Sequence, residues 1–485
     1  MTVNVLFVAA ESEPFVKIGG LGDVAGALPD AIHRISKKHP ERYPIDIRMV
    51  LPYHGVIKQK NFPTTFLGQF NVSKGQEVIP CRVYRYDGGL IPVYLLDGDP
   101  INDDAPVYSL VTSEDGEKYV FFSLAALRLA EFLKWRVDIL HANDWHTALA
   151  IYALNILPPP SDYLANTKSV HSLHNLPFMG YGIQGSLTDY GLPPSENPLL
   201  PEWARHTPLP LGLLHADKII AVSPHYAEEI LTPEFGCGLE NFLQTRSSAL
   251  TGIINGLDTD LWNPETDPYI QQTFSQDTLS TRVENKRYLQ NRFNLPIEDQ
   301  VPMLTLISRM DPQKGIDIAL KGLVYCEDVP WQAIILGTGT PFVEDLACEL
   351  EARYPQRVRS VIDFDNKLAH QLYAGADMFL MPSRYEPCGL SQMISMRYGC
   401  VPIARRTGGL ADTIQPVSRR VNGGTGFLFT KPYPSVFAET VKRALRYYHK
   451  PDVWRQIQLN GMQVDFSWEN SAQQYIDTYL DLLKE

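Results

Sequence analysis

Short apolar runs separated by stretches with helical spacing dominate the hydrophobic pattern of this chain. The first run, residues 3–10, is apolar at every position except Asn4. Such a run is typical of a strand that is buried on both faces. A glycine turn follows it, and then residues 24–35, where apolar side chains recur at helical spacing. Because this order of strand, turn and helix recurs along the chain, the pattern predicts parallel sheets covered by helices.

The first half of the chain contains six runs that predict strands and two long stretches that predict helices. The strands are expected at residues 4–9, 46–51, 138–142, 168–173, 218–223 and 250–255, and the helices at 119–133 and 147–157. Two further runs, residues 77–86 and 90–96, flank Asp87-Gly88-Gly89. An Asp-Gly dipeptide between apolar runs predicts a β-hairpin.

The second half repeats the strand and helix order. Strands are expected at residues 303–308, 332–336, 358–362, 378–382 and 401–404, and helices at 342–353, 368–376, 390–398 and 435–448. Trp262-Asn263-Pro264 interrupts the periodicity between the two halves. The chain is therefore expected to be an α/β protein with two Rossmann-like, doubly wound domains, residues 1–257 and residues 258–467.

Composition narrows the functional classes. With 485 residues, two or three domains are expected, and 55 acidic against 43 basic residues give a formal charge of −12. A broad nucleic-acid surface is excluded on this balance. Six scattered cysteines without a CxxC pair indicate neither a disulfide framework nor a zinc knuckle, and they favour a reducing compartment. We expect no membrane span and no secretory signal, whereas a removed transit peptide stays open.

The most informative turn is Lys17-Ile18-Gly19-Gly20-Leu21-Gly22-Asp23, which joins the first predicted strand to the first predicted helix. This arrangement directs backbone N–H groups toward an anion. Glycine lets a ligand approach the backbone closely, and Lys17 adds a mobile positive charge. The alternative is that the turn only packs a helix onto a strand, so the interpretation depends on a second charged site.

Residues 308–315 supply that second site at the end of another predicted strand. Arg309 offers a planar fork of donors and Lys314 a compact ammonium group, and both can face one diphosphate. The alternative is two solvated surface cations. The position favours a ligand, because ligands of open α/β sheets bind beyond the carboxyl ends of the strands.

Residues 383–392 form a third loop of the same kind. Glu386 can accept hydrogen bonds from sugar hydroxyls, and Gly389 and the N–H groups after it can hold hydroxyls or phosphate. The alternative is an acid that only favours the dipole of its helix, which contributes less than about 1 kcal/mol. The turn Thr407-Gly408-Gly409-Leu410 repeats the theme.

Taken together, these motifs resemble the glycogen and starch synthases of the bacterial and plant type. The motifs occur in the family's order: K-x-G-G-L-G-D-V from Lys17, H-A-N-D-W-H at 141–146, H-N-L at 174–176, I-N-G-L-D at 254–258, S-R-x-x-x-Q-K-G at 308–315, E-P-C-G-L at 386–390 and T-G-G-L at 407–410. The resemblance implies the GT-B fold, with two Rossmann-like domains facing a central cleft. It also implies a last helix within residues 468–485 that returns to the N-terminal, acceptor-side domain, while the C-terminal domain binds the nucleotide sugar.

The resemblance also implies a function. The chain is expected to transfer glucose from ADP-glucose to the non-reducing end of an α-1,4-glucan (glycogen, amylose or starch) with retention of configuration and without a cofactor. The preference for ADP-glucose over UDP-glucose rests on the resemblance alone. The expected location is the cytoplasm, or the plastid stroma if a transit peptide was removed, and the oligomeric state is left open.

Site roles carry over by position in this sequence. The resemblance assigns catalytic and diphosphate-binding roles to Glu386, His174, Lys314, Arg309 and Lys17. It assigns donor contacts to Gly19, Gly20, Asp23, Asn255, Phe364, Cys388, Gly389, Leu390 and Ser391, with the Phe364 ring stacked on the base. It assigns acceptor-side positions to Glu11, Asp144 and Trp145, and for Asp144 a structural role beside His174 is the alternative.

Four features depart from the family pattern or compete with it. Phe178-Met179-Gly180 stands where the family often has an aromatic residue followed by Gln-Gly, and Ser391 stands where threonine is frequent. His171, three residues before His174, is expected to pack in the core. The cluster of His141, Asp144 and His146 could suggest a metal site. This is the less favoured interpretation, because the two histidines have no third strong ligand spaced nearby.

The expected chemistry is stabilisation of a departing diphosphate by fixed cations and backbone N–H groups. A covalent glycosyl-enzyme would need a carboxylate below the anomeric carbon, and the motifs offer no obvious candidate, so front-face attack is preferred. Two rival functions stay open. One is a sugar-nucleotide transferase with a small or lipid acceptor, and the other is a glucan-binding protein without turnover.

Overall fold

The structure of the protein, a computed structural model, describes residues 2–158, 161–418 and 423–484. The chain divides into two units, one formed by residues 1–256 with 468–485 and the other by residues 257–467. The boundary expected after residue 257 lies one residue from this division. Each unit is an α/β domain built on its own sheet.

A nine-stranded sheet forms the centre of the first unit. Its strands are β1 (Val3–Val8), β2 (Ile45–Pro52), β3 (Thr64–Lys74), β4 (Glu77–Tyr86), β5 (Val93–Asp97), β6 (Ile139–Asn143), β7 (Lys168–Leu173), β8 (Lys218–Ala221) and β9 (Leu250–Gly252). The order across the sheet is β3-β4-β5-β2-β1-β6-β7-β8-β9. From β5 to β9 all neighbours are parallel, as the uninterrupted apolar runs predicted.

The antiparallel edge of this sheet was predicted in part. Strands β4 and β5 pair antiparallel, which confirms the hairpin expected around Asp87-Gly88-Gly89. Strand β3 was missed, although it pairs with β4 along its whole length. Its side chains are mostly exposed, and Gly68 interrupts the register. An edge strand with little buried surface leaves a weak alternation of apolar and polar residues.

Helices cover both faces of the sheet in the first unit. They are α1 (Gly20–Lys38), α2 (Gly55–Gln59), α3 (Thr112–Phe132), α4 (Asp144–Ile156), α5 (Gln184–Asp189), α6 (Pro208–His215), α7 (Pro224–Glu229) and α8 (Glu240–Thr245). Helix α1 continues through Pro29 and extends beyond both ends of the predicted residues 24–35. Helix α4 starts at Asp144, directly after β6, three residues before its predicted start.

The second unit contains a six-stranded parallel sheet. Its strands are β10 (Met303–Ile307), β11 (Gln332–Gly337), β12 (Val358–Ile362), β13 (Met378–Met381), β14 (Val401–Arg405) and β15 (Phe427–Phe429), in the order β12-β11-β10-β13-β14-β15. All five pairings are parallel. Five of these strands were predicted within a residue or two. The three-residue strand β15 was not, because so short a run carries no readable period.

The helices of the second unit alternate with its strands. They are α9 (Val283–Arg292), α10 (Ile316–Val324), α11 (Pro341–Arg353), α12 (Asn366–Gly375), α13 (Ser391–Arg397), α14 (Gly408–Thr413), α15 (Pro434–Tyr448) and α16 (Pro451–Met462). No bounds were predicted for α9, α10, α14 or α16. The alternation and the parallel pairing together confirm the doubly wound class expected for each half.

The last helix, α17 (Trp468–Leu482), belongs to the first unit, where it packs against α1. Its buried face shares one hydrophobic cluster with the central strands. The hydroxyl of Tyr479 lies 2.7 Å from Nδ1 of His141 on β6. The other ring nitrogen of His141 lies 2.7 Å from Oγ of Ser172 on β7. A helix from the end of the chain therefore completes the core around a sequence motif of the first half.

We predict that Tyr479→Phe lowers the free energy of unfolding by about 1–3 kcal/mol, because it leaves a ring nitrogen of fully buried His141 without its partner. Urea denaturation measures the change. Tyr325→Phe, at an exposed tyrosine of the second unit, is the control and should shift stability by less than about 0.5 kcal/mol. Equal stability of Tyr479→Phe and the unchanged protein would contradict the role given to this contact.

Candidate functional site

Most of the predicted site residues lie in loops at one particular place in each sheet, whereas His174, Asn255 and Phe364 follow β7, β9 and β12. In the first unit β1 and β6 are neighbours, but the chain continues from β1 to β2 on one side and from β6 to β7 on the other side. In the second unit the chain continues in the same way from β10 to β11 and from β13 to β14. Such a switch point leaves a crevice beyond the carboxyl ends of the strands, where open α/β sheets bind ligands. The glycine turn follows β1, Asp144 follows β6, the loop with Lys314 follows β10, and the loop with Glu386 follows β13.

The glycine turn of the first unit rests on a buried carboxylate. Glu11 is almost fully buried, and its carboxylate accepts hydrogen bonds from the N–H groups of Ile18 and Gly19, the latter at 3.0 Å. Burial raises the pKa of Glu11, although these N–H groups and the Tyr108 hydroxyl act against the rise. Two N–H groups expected to face a ligand anion therefore face Glu11. Its acceptor-side role stays a prediction.

The first part of the turn, residues 17–20, is exposed to solvent. Nothing lies within 4 Å of the position where a Cβ on Gly20 would stand, so a ligand can reach the start of α1 there. Nζ of Lys17 lies 2.6 Å from Oδ1 of Asp23, and both side chains are partly exposed. A solvent-exposed ion pair of this kind contributes little to stability. Lys17 can therefore exchange Asp23 for a ligand phosphate at low cost.

His174 has a defined hydrogen-bonding state. The side-chain amide of Asn143 donates from Nδ2 to the Val8 carbonyl at 3.0 Å, so its Oδ1 must be the atom 3.0 Å from Nε2 of His174. The imidazole therefore donates from Nε2. Burial lowers the pKa of His174 to about 4, which keeps the ring neutral at pH 7. Nδ1 is then an acceptor, and it suits a sugar hydroxyl.

Asp144 shapes the backbone that carries His174. Its Oδ1 accepts from the N–H of His174 at 2.7 Å and from the N–H of Asn175 at 3.3 Å. Burial raises the pKa of Asp144 to about 7, and the two N–H groups partly oppose the rise. Asp144 also has φ of +53°, a strained value for a residue other than glycine. The structure thus shows a positioning contact, and a direct contact of Asp144 with acceptor stays a prediction.

The histidines around this loop are packed or paired. His171 is fully buried, as predicted for a core residue, and its Nε2 lies 3.2 Å from the Asp144 carbonyl oxygen. Both ring nitrogens of His141 face hydroxyls, and His146 packs against the rings of Tyr108 and Trp145. Within the described part of the chain, no three His, Cys, Asp or Glu side chains form a group that could hold a metal ion.

Two other predicted residues of the first unit, Trp145 and Asn255, are both buried but differ in whether a polar atom is left for a ligand. Trp145 is only 6% exposed and packs against Tyr119 and His146. It lies in the first turn of α4, directly after β6, and its acceptor-side role stays a prediction. Asn255 is buried with an Oδ1 that has no partner among the described residues, which suits a ligand donor.

The second unit holds a buried ion pair at its switch point. Nζ of Lys314 lies 2.7 and 2.9 Å from the two carboxylate oxygens of Glu386, and the Ser383 hydroxyl donates to Oε2 of Glu386 at 2.9 Å. Both members of the pair are largely shielded from water. The two loops that the sequence singled out separately therefore meet at one charged centre. The positive charge of the Lys314 ammonium group therefore lies in a poorly solvated site.

Close backbone contacts keep this centre in place. A Cβ on Gly408, where φ is +42°, would lie 2.0 Å from the Glu386 carbonyl oxygen, and one on Gly315, where φ is +60°, would lie 2.2 Å from the Pro382 carbonyl oxygen. The N–H of Gly409 donates to the same Glu386 carbonyl at 3.1 Å. The glycines after β10 and β14 are thus required for the loops to approach the one that carries Glu386.

The other predicted residues of this unit surround the pair with different exposure. Arg309 is 67% exposed beside Asp311, and Phe364 is 85% exposed on the loop after β12. Cys388 is buried, Gly389 has φ of +76°, and α13 starts at Ser391 with Leu390 before it. Arg309 and Phe364 can reach a ligand without breaking a buried contact, and their roles stay predictions.

Comparison with known proteins decides the family. Residues 4–245 match the family described as Starch synthase catalytic domain, and residues 288–458 match Glycosyl transferases group 1. Glycogen synthases of Bacillus cereus (strain Q1) and Streptococcus gordonii are 36% and 38% identical, and each match covers 99% of this chain and 100% of the relative. The chain belongs to the glycogen and starch synthase family.

A solved structure agrees with this assignment. The catalytic domain of Starch Synthase IV from Arabidopsis thaliana, bound to ADP and acarbose, matches with a TM-score of 0.88 and 28% identity over 100% of both chains. This synthase therefore has the GT-B fold and is a glycosyltransferase. The resemblance of the sequence motifs to the family is confirmed over the full length.

Sequence reasoning missed four residues that support the synthase site. Asn143 orients His174, Tyr108 bonds Glu11, Ser383 bonds Glu386, and Gln392 donates to the carbonyls of Cys388 and Gly389 at 3.1 and 2.8 Å. Three of them lie inside the quoted motifs or directly beside them, so their positions were available as a signal. Tyr108 lies in no motif, and only the fold brings it to Glu11.

We predict that Asp144→Asn removes a pH-dependent loss of stability from the synthase. A carboxyl with a raised pKa binds its proton more tightly in the folded state, so its contribution is fully present below pH 4 and is lost as the pH rises toward about 7. The free energy of unfolding should therefore fall from pH 5 to pH 7 by about 1–3 kcal/mol more in the unchanged protein than in the variant.

Urea denaturation of both proteins at the two pH values measures this difference. Asp138→Asn, at a partly exposed carboxylate near the other end of β6, is the control and should leave the difference between the two pH values unchanged. Parallel pH dependence in the unchanged protein and Asp144→Asn would show that Asp144 is ionised well below pH 5.

Proposed function

We propose that this synthase transfers glucose from ADP-glucose to the non-reducing end of an α-1,4-glucan with retention of configuration. The observation that carries the proposal is the shielded Lys314–Glu386 pair at the switch point of the second unit. The pair supports the proposal because its ammonium group would stabilise the negative charge that develops on the leaving group of a sugar nucleotide bound at this switch point. In a chain that matches glycogen synthases from end to end, that is the chemistry expected of this loop.

Lys314 and Arg309 would stabilise the departing diphosphate. Cleavage of the glycosidic bond to the nucleotide leaves charge on the phosphate oxygens, and fixed cations in a poorly solvated site lower the barrier to that step. Lys314 is held by Glu386, so it needs no reorganisation during the reaction. Arg309 is free to move onto a phosphate from solvent.

Glu386 is a poor candidate for a covalent nucleophile. Both of its oxygens accept from Lys314, and Oε2 also accepts from Ser383. An attacking carboxylate would have to give up these bonds to bond the anomeric carbon. These contacts support front-face attack, in which the departing phosphate takes the proton of the acceptor hydroxyl. Glu386 then acts by holding Lys314 and by accepting from sugar hydroxyls.

His174 would bind a sugar hydroxyl through Nδ1. Because Asn143 occupies Nε2 and the ring is neutral at pH 7, Nδ1 accepts and cannot donate. The pKa near 4 also means that His174 adds no acidic limb to the activity profile above about pH 5. Asn255, with its unpartnered buried Oδ1, would add a contact to the donor.

The donor nucleotide, the acceptor and the compartment are part of the same proposal. The Arabidopsis structure that supports ADP as the nucleotide is described as bound to ADP and acarbose. No helix in the described ranges is both long and apolar enough to cross a bilayer, so nothing there favours a lipid acceptor. We place the enzyme in the cytoplasm or the plastid stroma, where its six free cysteines stay reduced.

The decisive experiment is transfer of labelled glucose to a glycogen primer from ADP-glucose and from UDP-glucose, each with and without EDTA. We expect incorporation from ADP-glucose that EDTA does not reduce. Incorporation from UDP-glucose alone would correct the donor. No incorporation from either donor, by protein that still binds glycogen, would favour the binding protein without turnover.

We predict that Lys314→Ala lowers kcat by about 10²–10³-fold, because it removes a fixed charge from the developing diphosphate. Glycogen binding in the absence of donor, measured by affinity electrophoresis, should stay unchanged. Lys442→Ala is the matched control, since it breaks an exposed ion pair with Asp328 in the same unit, and it should retain full activity. Loss of binding together with turnover in Lys314→Ala would point to misfolding, and full turnover would remove Lys314 from the mechanism.

A further inference from the structure

The loop that follows His174 exposes two aromatic rings. Phe178 is 56% exposed and Tyr181, three residues later, is 48% exposed. Single exposed apolar side chains are ordinary on protein surfaces, but neighbouring rings on one loop are typical of a binding surface. Trp145, the aromatic residue that the sequence placed on the acceptor side, is buried. The exposed aromatic surface next to His174 therefore belongs to this loop.

The loop is held in one conformation. Gly180 and Gly182, on either side of Tyr181, have φ of +81° and +82°. A Cβ on Gly180 would lie 2.5 Å from the Trp145 ring, so the backbone packs directly on buried Trp145. The Tyr181 hydroxyl donates to Sδ of Met179 at 3.2 Å, and Met179 is itself buried. Tyr181 is thus exposed on a fixed base.

A second ring extends this surface. Trp203, in a 3-10 helix at Glu202–His206, lies with its ring centroid 5.7 Å from that of Tyr181 and at 39° to it. Gly238 also lies close to this ring, because a Cβ added to it would lie 3.4 Å from the Trp203 ring. The two rings, which we call the Tyr181–Trp203 platform, therefore lie in contact and are supported from separate parts of the chain.

We propose that the Tyr181–Trp203 platform, with Phe178 beside it in sequence, binds a stretch of the α-glucan acceptor. This inference rests on the proposed function. Glucose rings present C–H faces that pack on aromatic rings, and a rim of hydroxyls that suits exposed polar side chains such as Gln184 and Glu202. A neutral ligand is favoured because the platform rings carry no charge.

The size of the platform favours a sugar chain over a protein partner. Phe178 and Tyr181 are about half exposed and Trp203 is less exposed, so the three rings offer a few hundred Å² at most, since an aromatic side chain buries about 150–250 Å² in full. A stable protein interface needs about 800 Å² on each side. A repeating chain of sugars gains by adding small contacts along its length. Tyr181 lies on the loop that follows His174, so the platform could hold the acceptor chain for the same reaction.

The test compares Tyr181→Ala and Phe178→Ala with the unchanged protein, using maltotriose and glycogen as acceptors. We expect Tyr181→Ala to raise KM for glycogen about three- to tenfold, with kcat and the KM for ADP-glucose unchanged. KM for maltotriose should change less, because three glucose units can make fewer contacts with the platform than a long chain can. Tyr181→Phe keeps the ring and should behave as the unchanged protein, and Tyr325→Ala is the control for loss of an exposed tyrosine.

Affinity electrophoresis in glycogen gels without donor separates this inference from the proposed function. If the unchanged protein proves inactive but is retarded by glycogen, weaker retardation of Tyr181→Ala still supports the platform. Equal retardation and equal KM for glycogen in Tyr181→Ala and the unchanged protein would overturn it. A lower kcat with unchanged KM in Tyr181→Ala would also overturn it, because the loop would then act through His174.

Discussion

The parallel order of the strands in each sheet is the constraint on which the other features depend. Because connections leave β1 and β6, and likewise β10 and β13, toward opposite sides of the sheet, their carboxyl ends are free of crossing chain. The loops at these ends contain the motifs of Lys17, Asp144, Lys314 and Glu386. Lys314 and Glu386 lie 72 residues apart in sequence and meet because their strands are neighbours.

Buried polar groups set the chemical state of the loops at these ends. Glu11 under the glycine turn, Asp144 under the loop of His174 and Glu386 beside Lys314 each accept bonds from groups of a neighbouring loop or turn. Burying a carboxylate is costly unless such bonds form. The same bonds that offset this cost also hold the loops in position, so the stability of the loops and the geometry of the site have a common origin.

The strands could be predicted from the sequence where apolar side chains are buried on both faces of the sheet. Except for β15, the parallel strands of both sheets were placed within a few residues, and most of them are rich in apolar side chains. Strand β3 is mostly exposed and β15 has three residues, and neither carries a period that a sequence can reveal. Helix α1 continues through Pro29, as the helical spacing over residues 24–35 indicated, although proline usually interrupts a helix.

For the site, the sequence by itself determined which loops matter, because glycine turns, cations and acids at strand ends are local features. Only the tertiary structure decided what each side chain does there. It turned Trp145 into the core, gave two N–H groups of the glycine turn to Glu11, and fixed the tautomer of His174 through Asn143 and Val8. The contacts of His174 and Asn143 join residues that are 31 and 135 positions apart, and even the nearer contact of Glu11 with Gly19 depends on how the turn folds back, which local spacing does not reveal.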